Sequence, residues 1–153
     1  MHRKGRRKVA NEETKINETH LGFIQSVVDR MGQNSFHAKE WCVTVISALV
    51  AFYLTQDAEN VRPVIVITAG VVAFLFAVVD AYYLHLERGY RYLYKVAAHI
   101  LEDKNVRDYS MSRPKKMKGA WPFLKELFSI STGLFYLAII GGIVCLYIFT
   151  EVW

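Results

Sequence analysis

The chain has 153 residues, enough for one domain, with 53% hydrophobic residues, 22% charged residues and a formal net charge of +5. So apolar a composition excludes a disordered chain. It also argues against a water-soluble domain, because the apolar residues gather in three blocks without a single charge, residues 41–54, 64–79 and 130–149.

Taken in chain order, residues 1–11 read as a basic tail. Such a start resembles the first part of a signal peptide, but no apolar stretch follows it, so the tail is expected to stay on the protein. It would meet anionic lipid, each Lys or Arg near the surface contributing about 1 kcal/mol. Residues 12–32 predict an amphipathic helix. Ile16, His20, Ile24, Val27, Val28 and Met31 recur at three- and four-residue spacing. Asn11 is the expected N-cap and Gly32 the expected C-terminal stop. Only Lys15 and Arg30 are basic here. That is too few for a helix lying on a membrane surface, and packing on protein is the expectation.

Asn34 or Ser35 is expected to cap the next helix. Roughly 20 apolar residues cross a bilayer as a helix. With their flanks, the apolar blocks become three predicted spans, residues 35–55, 63–103 and 129–150. Pro63 suits the first turn of the second. Past the apolar block no breaker other than Gly89 stands before Asn105, so the second helix is expected to run on past the bilayer as a cytoplasmic extension. In that overhang Leu86, Tyr90, Leu93, Ala97 and Ile100 are spaced 4-3-4-3. This is a heptad seam that asks for a partner helix, either residues 12–32 of the same chain or a neighbouring subunit. Residues 104–128 form a basic loop that ends in an interfacial turn or short helix leading into the third span.

Lys and Arg number 8 in residues 1–40 and 10 in residues 87–126, with Arg62 alone between the first two spans. The positive-inside rule then puts the N-terminus and the long loop in the cytoplasm and the C-terminus outside. Trp41 and Trp153 fall near opposite interfaces. Cys42 and Cys145 read as single thiols, neither a disulfide nor a metal site.

Asp80 is the residue lipid would least tolerate, since a charge at the bilayer centre costs at least about 2.5–3.5 kcal/mol on insertion scales. Folding the first two spans about a turn near residues 59 and 60 brings position 80 level with Lys39, and Arg30 sits at the end of the preceding helix. The expected arrangement is an Asp80 carboxylate held by Lys39 or Arg30, with Tyr82, Tyr83 or His37 completing its hydrogen bonds. A structural clamp is the first reading and an ion or proton site the second. Ala69, Ala73, Ala77 and Ala81 recur every four residues along the second span. Thr44/Ala48, Ser47/Ala51 and Ala138/Gly142, with Gly141 beside it, are shorter matches in the other two. Small residues at this spacing let helices approach closely, within a subunit or between subunits.

No catalytic, cofactor-binding or metal-binding set emerges. The histidines (His2, His20, His37, His85, His99) lack metal-ligand pairing, no Gly-rich phosphate loop is present, and Ser and Cys have no base at recognisable spacing. No enzyme is expected. Nor is a nucleic-acid partner, because topology accounts for the basic loop.

Three stretches carry a resemblance: FIQSVVDRMGQNSF, KEWCVTVISAL and VDAYYLHLERGYRYLY. They are similar to the RipA family of octameric membrane proteins, small proteins of the bacterial inner membrane, over about residues 21–95. The matching positions include Arg30, Asn34, Ser35, Phe36, Lys39, Trp41, Asp80, Tyr83, Glu87 and Arg88. The resemblance implies an inner-membrane homo-oligomer, with an octamer suggested, and supplies no reaction. The layout is also similar to multi-span effectors of anti-phage systems.

The expectation is therefore an all-α membrane protein with three transmembrane helices, an N-terminal amphipathic helix and a cytoplasmic extension of the second span. Its expected partners are the lipid bilayer, anionic lipid and further copies of itself. The role expected is structural or scaffolding. The alternative is a pore-forming or membrane-perturbing effector, gated by a cytoplasmic ligand or partner. A pore would want a polar stripe, and Thr44, Ser47, Ser131 and Thr132 are too few for a continuous one.

Overall fold

A computed structural model describes residues 2–58, 60–103, 111–112 and 120–152. Most of the expected basic loop lies outside them. The described residues hold four helices, α1 (His2–Leu54), α2 (Arg62–Ala97), α3 (Ala120–Leu127) and α4 (Ile130–Val152), and no strand. Two of them, α2 and the Ile130–Thr150 part of α4, are long and apolar enough to cross a membrane. These correspond to the second and third of the expected spans.

The helix α1 corrects the expected N-terminal organisation. Tail, amphipathic helix and first apolar block are one continuous helix of 53 residues, without a stop at Gly32 or a fresh start at Asn34 or Ser35. A glycine inside a helix costs only about 1 kcal/mol relative to alanine, and Gly32 keeps an ordinary backbone conformation. Ser35 does not cap, because its hydroxyl is used elsewhere in the fold.

The far end of α2 is corrected too. The helix stops at Ala97, not near 103, although no glycine or proline stands there. His99 takes a left-handed backbone with φ of 55°. Its N–H then bonds the Val96 carbonyl at 3.0 Å, and the Ile100 N–H bonds the Lys95 carbonyl at 2.9 Å. That pair of bonds is the Schellman closure usually made with glycine. Ile100, expected on the seam, lies past the helix end and is exposed.

Two compact units follow. The first comprises Met1–Gly32 and Leu86–Gly119. Its most buried side chains are Ile24 and Leu93. Leu86, Tyr90 and Ala97 are half-buried. A Cβ built on Gly32 would lie 3.6 Å from Glu87 Oε2, which shows how closely α1 and α2 approach here. Leu93 of the seam and Ile24 of α1 are thus buried within one unit of the chain.

The second unit comprises Gln33–His85 and Ala120–Trp153. Its core joins Cys42 and Ile46 of α1, Ala69, Ala73 and Ala77 of α2, and Tyr136 and Ile143 of α4. Alanine every fourth residue keeps α2 thin enough for two neighbouring helices to pack on one face. At the end opposite Asp80 the Tyr53 and Thr150 hydroxyls bond each other. There the Arg62 guanidinium lies 5.7 Å from the centre of the Tyr53 ring.

Candidate functional site: a buried ion pair

Asp80 is completely buried in the second unit. Lys39 Nζ approaches its Oδ2 at 2.6 Å. The Ser35 hydroxyl donates to its Oδ1. Lys39 also reaches Ser35 Oγ at 3.4 Å, so the three groups form a closed triangle. Helix geometry explains how α1 supplies both partners. Ser35 and Lys39 are four residues apart and stand one above the other on one face. The next residues on that face are Ala38, Cys42 and Ile46, all buried. Only 17% of the Lys39 side chain meets solvent. The Phe135 ring of α4 has its centre 5.9 Å from the ammonium, a cation–π contact that brings the third helix to the pair.

More buried polar groups line α4. Thr132 and Tyr136 are four residues apart and almost wholly enclosed, and neither hydroxyl has a hydrogen-bond partner among the described residues. Tyr136 packs with Cys42, Ala73 and Ala77. Nearer α3, the His85 and Phe123 rings meet edge-on with centres 6.3 Å apart. Glu126 is buried on α3 itself.

Of the residues expected at Asp80, Lys39 is in place. Arg30 is assigned to the first unit and is exposed. His37 is turned outward and pairs with Glu40 at 2.7 Å. Tyr82 is half-exposed and meets Tyr83 edge-on, with centres 5.7 Å apart. The hydrogen bond expected from these residues comes from Ser35 instead. Of the small residues, Ala69, Ala73, Ala77 and Ala81 are all buried inside the unit, whereas Gly142 faces outward with open space where a Cβ would be. Of the polar stripe, Thr44, Ser47 and Ser131 are exposed and Thr132 alone points inward.

The sequence reasoning missed Ser35, Phe135 and Tyr136 as members of this cluster. Thr132 and Tyr136 carried a signal, two hydroxyls at helical spacing in an otherwise apolar block. Chemically the arrangement can hold a buried ion pair between α1 and α2 within the second unit. Comparison with family models, curated proteins and solved structures finds no match, and the functional reading rests on the residues and their geometry.

Proposed function

We propose that this chain is a three-span, homo-oligomeric protein of the bacterial inner membrane with a structural, scaffolding role. The observation that carries the reading is the inverted polarity of the second unit. Its outer surface is made of large apolar side chains, among them Ile67, Phe74 and Leu75 of α2 and Ile130, Leu134, Leu137 and Phe149 of α4. Its interior holds the small and polar residues Ala73, Ala81, Asp80, Ser35 and Thr132. A soluble unit would expose the carboxylate and bury the leucines. Lipid reverses that preference.

The first span in this reading is residues 35–55 of α1. Phe36, Trp41, Phe52 and Leu54 all face outward there. The basic residues on either side of the spans set the N-terminus in the cytoplasm and the C-terminus outside. Self-association fits the outward Gly141 and Gly142 of α4, where a second helix can approach the backbone closely. The protomer offers no continuous polar stripe to line a pore, which favours the scaffold over the membrane-perturbing effector.

The test is made on the full chain expressed in bacteria. It should resist alkaline carbonate extraction from the membrane fraction, and a reporter fused after Trp153 should be active only outside the cytoplasm. Purified in detergent, it should have a mass several times the 17.6 kDa of one chain. Extraction by carbonate would defeat the spanning reading, and a monomeric mass would defeat the oligomer.

A further inference from the structure

The polarity of the short helix α3, a part of the second unit, is reversed. Trp121, Leu124, Lys125 and Phe128 stand at i, i+3, i+4 and i+7, so they share one stripe. Phe128 continues the last turn, its N–H bonding the Leu124 carbonyl at 3.3 Å. All four side chains are exposed, Trp121 over 81% of its surface and Phe128 over 82%. The other side carries Phe123, Glu126 and Leu127. There the Phe123 ring meets the His85 ring of α2, Leu127 packs against the core, and Glu126 is only 5% exposed. Water favours the opposite arrangement, with the carboxylate outward and the indole inward. The joint to α4 holds the stripe in place: the Ser129 N–H bonds the Glu126 carbonyl at 3.0 Å, and the Gly133 N–H bonds the Ser129 carbonyl at 2.7 Å.

The level of α3 follows from α2. From Arg62 to His85 a helix rises about 35 Å, and the hydrocarbon core of a bilayer is about 30 Å thick. A span that enters at Arg62 therefore carries His85, and α3 with it, into the headgroup layer of the other leaflet. Indole rings gather in that layer, because they join an apolar body to a polar N–H. We propose that α3 is an interfacial anchor: Trp121, Leu124 and Phe128 lie in the cytoplasmic headgroup layer, and Lys125 takes the phosphate of an anionic phospholipid. The stripe offers one cation and no carboxylate, which is the charge a phosphate surface calls for. It also runs on into Ile130 and Leu134 of α4, 86% and 69% exposed, so the anchor continues the outward apolar surface of the span. That continuity favours lipid over a second copy of the chain as the occupant. The anchor sets how deep the second unit sits in the bilayer. The proposal rests on the membrane reading, which supplies the lipid.

The tryptophans are Trp41, Trp121 and Trp153, so Trp41→Phe/Trp153→Phe leaves Trp121 as the only reporter. The experiment is fluorescence quenching of this full-length chain in vesicles of phosphatidylcholine and phosphatidylglycerol that carry bromine at chosen depths. The expected result is quenching of Trp121 that is strongest for the shallowest bromines and falls toward the bilayer centre. At equal content, brominated phosphatidylglycerol should quench more than brominated phosphatidylcholine, and Lys125→Gln should lose that excess. A Trp121 that no brominated lipid quenches would overturn the anchor, whether the indole lies in water or against another copy. Strongest quenching by the deepest bromines would overturn the interfacial placement. An excess that persists in Lys125→Gln would remove Lys125 as the phosphate ligand. A companion chain with Trp41 alone, Trp121→Phe/Trp153→Phe, separates the two readings. Trp41 quenched beside an unquenched Trp121 defeats the anchor and leaves the span; neither quenched defeats the span.

Discussion

At Asp80 the two halves of one ion pair are unequally placed. The carboxylate has no contact with solvent, whereas Lys39 keeps 17% of its side chain accessible. Stranding the aspartate is therefore the harsher change. Lys39→Met removes the cation that pairs with the carboxylate and is expected to cost about 3–5 kcal/mol, the usual penalty for breaking a buried pair. Asp80→Asn strands the lysine instead, which can reach water along its flexible stem, and its cost is expected to be smaller. The double replacement Lys39→Met/Asp80→Leu is expected to recover most of the loss, since a well-packed apolar pair often matches a buried ionic one. Thermal unfolding of the three variants in detergent decides this, and equal losses for the two single variants would show that the asymmetry is absent. In the first unit, Tyr92 donates its phenol to Asp103 at 3.1 Å. That hydrogen bond, then desolvation and the Asp103 charge, holds the phenol above the usual tyrosine range. A raised value means a stabilising contribution that is complete below about pH 10, the ordinary tyrosine value, and lost as pH rises through the folded one. Tyr92→Phe is expected to abolish this alkaline step in a stability profile followed by circular dichroism.

Along the helices, what could be read from the sequence and what could not divide by physical cause. The meeting of Asp80 with Lys39 was legible because a short turn fixes the register of two antiparallel helices, so level positions follow from counting. Ser35 was misread because its local sequence suits an N-cap, and only its distant acceptor shows otherwise. The end of α2 was hidden because its left-handed residue is His99, not glycine. Gly32 was misread as a stop because a helix interior tolerates glycine at small cost. These last two yield opposite tests of one kind. Gly32→Ala is expected to stabilise the protein by about 1 kcal/mol, the helix-propensity difference. The added Cβ meets Glu87 at an ordinary contact distance of 3.6 Å. Were Gly32 a left-handed stop between two helices, the same change would destabilise. His99→Gly is expected to stabilise by about 1–2 kcal/mol, the cost of left-handed backbone in a residue with a Cβ. The alanine ladder has its own contrast. Ala73→Leu forces extra volume into a closed core and is expected to cost about 1–3 kcal/mol. Gly142→Leu extends into open space, so it should leave the protomer's melting temperature unchanged while lowering the oligomer's mass in light scattering.

For the whole molecule, the division into two units predicts that damage to one leaves the other standing. The first unit is built around Ile24 and Leu93 and carries the charged residues Glu87 and Arg91, paired at 2.7 Å. The second is held by the alanine face and the Asp80 pair. Leu93 is 1% exposed, so an aspartate there would bury a charge in the packed interior of the unit, among the most damaging of single changes. In Leu93→Asp the packing of residues 12–32 against residues 86–97 is expected to fail, and cytoplasmic protease should then cut within these segments in inside-out vesicles. The variant should still resist carbonate extraction. Protection of the first unit equal to wild type would show that Leu93 is not its core. Loss of membrane insertion alongside the protease cuts would show that the two units fold as one.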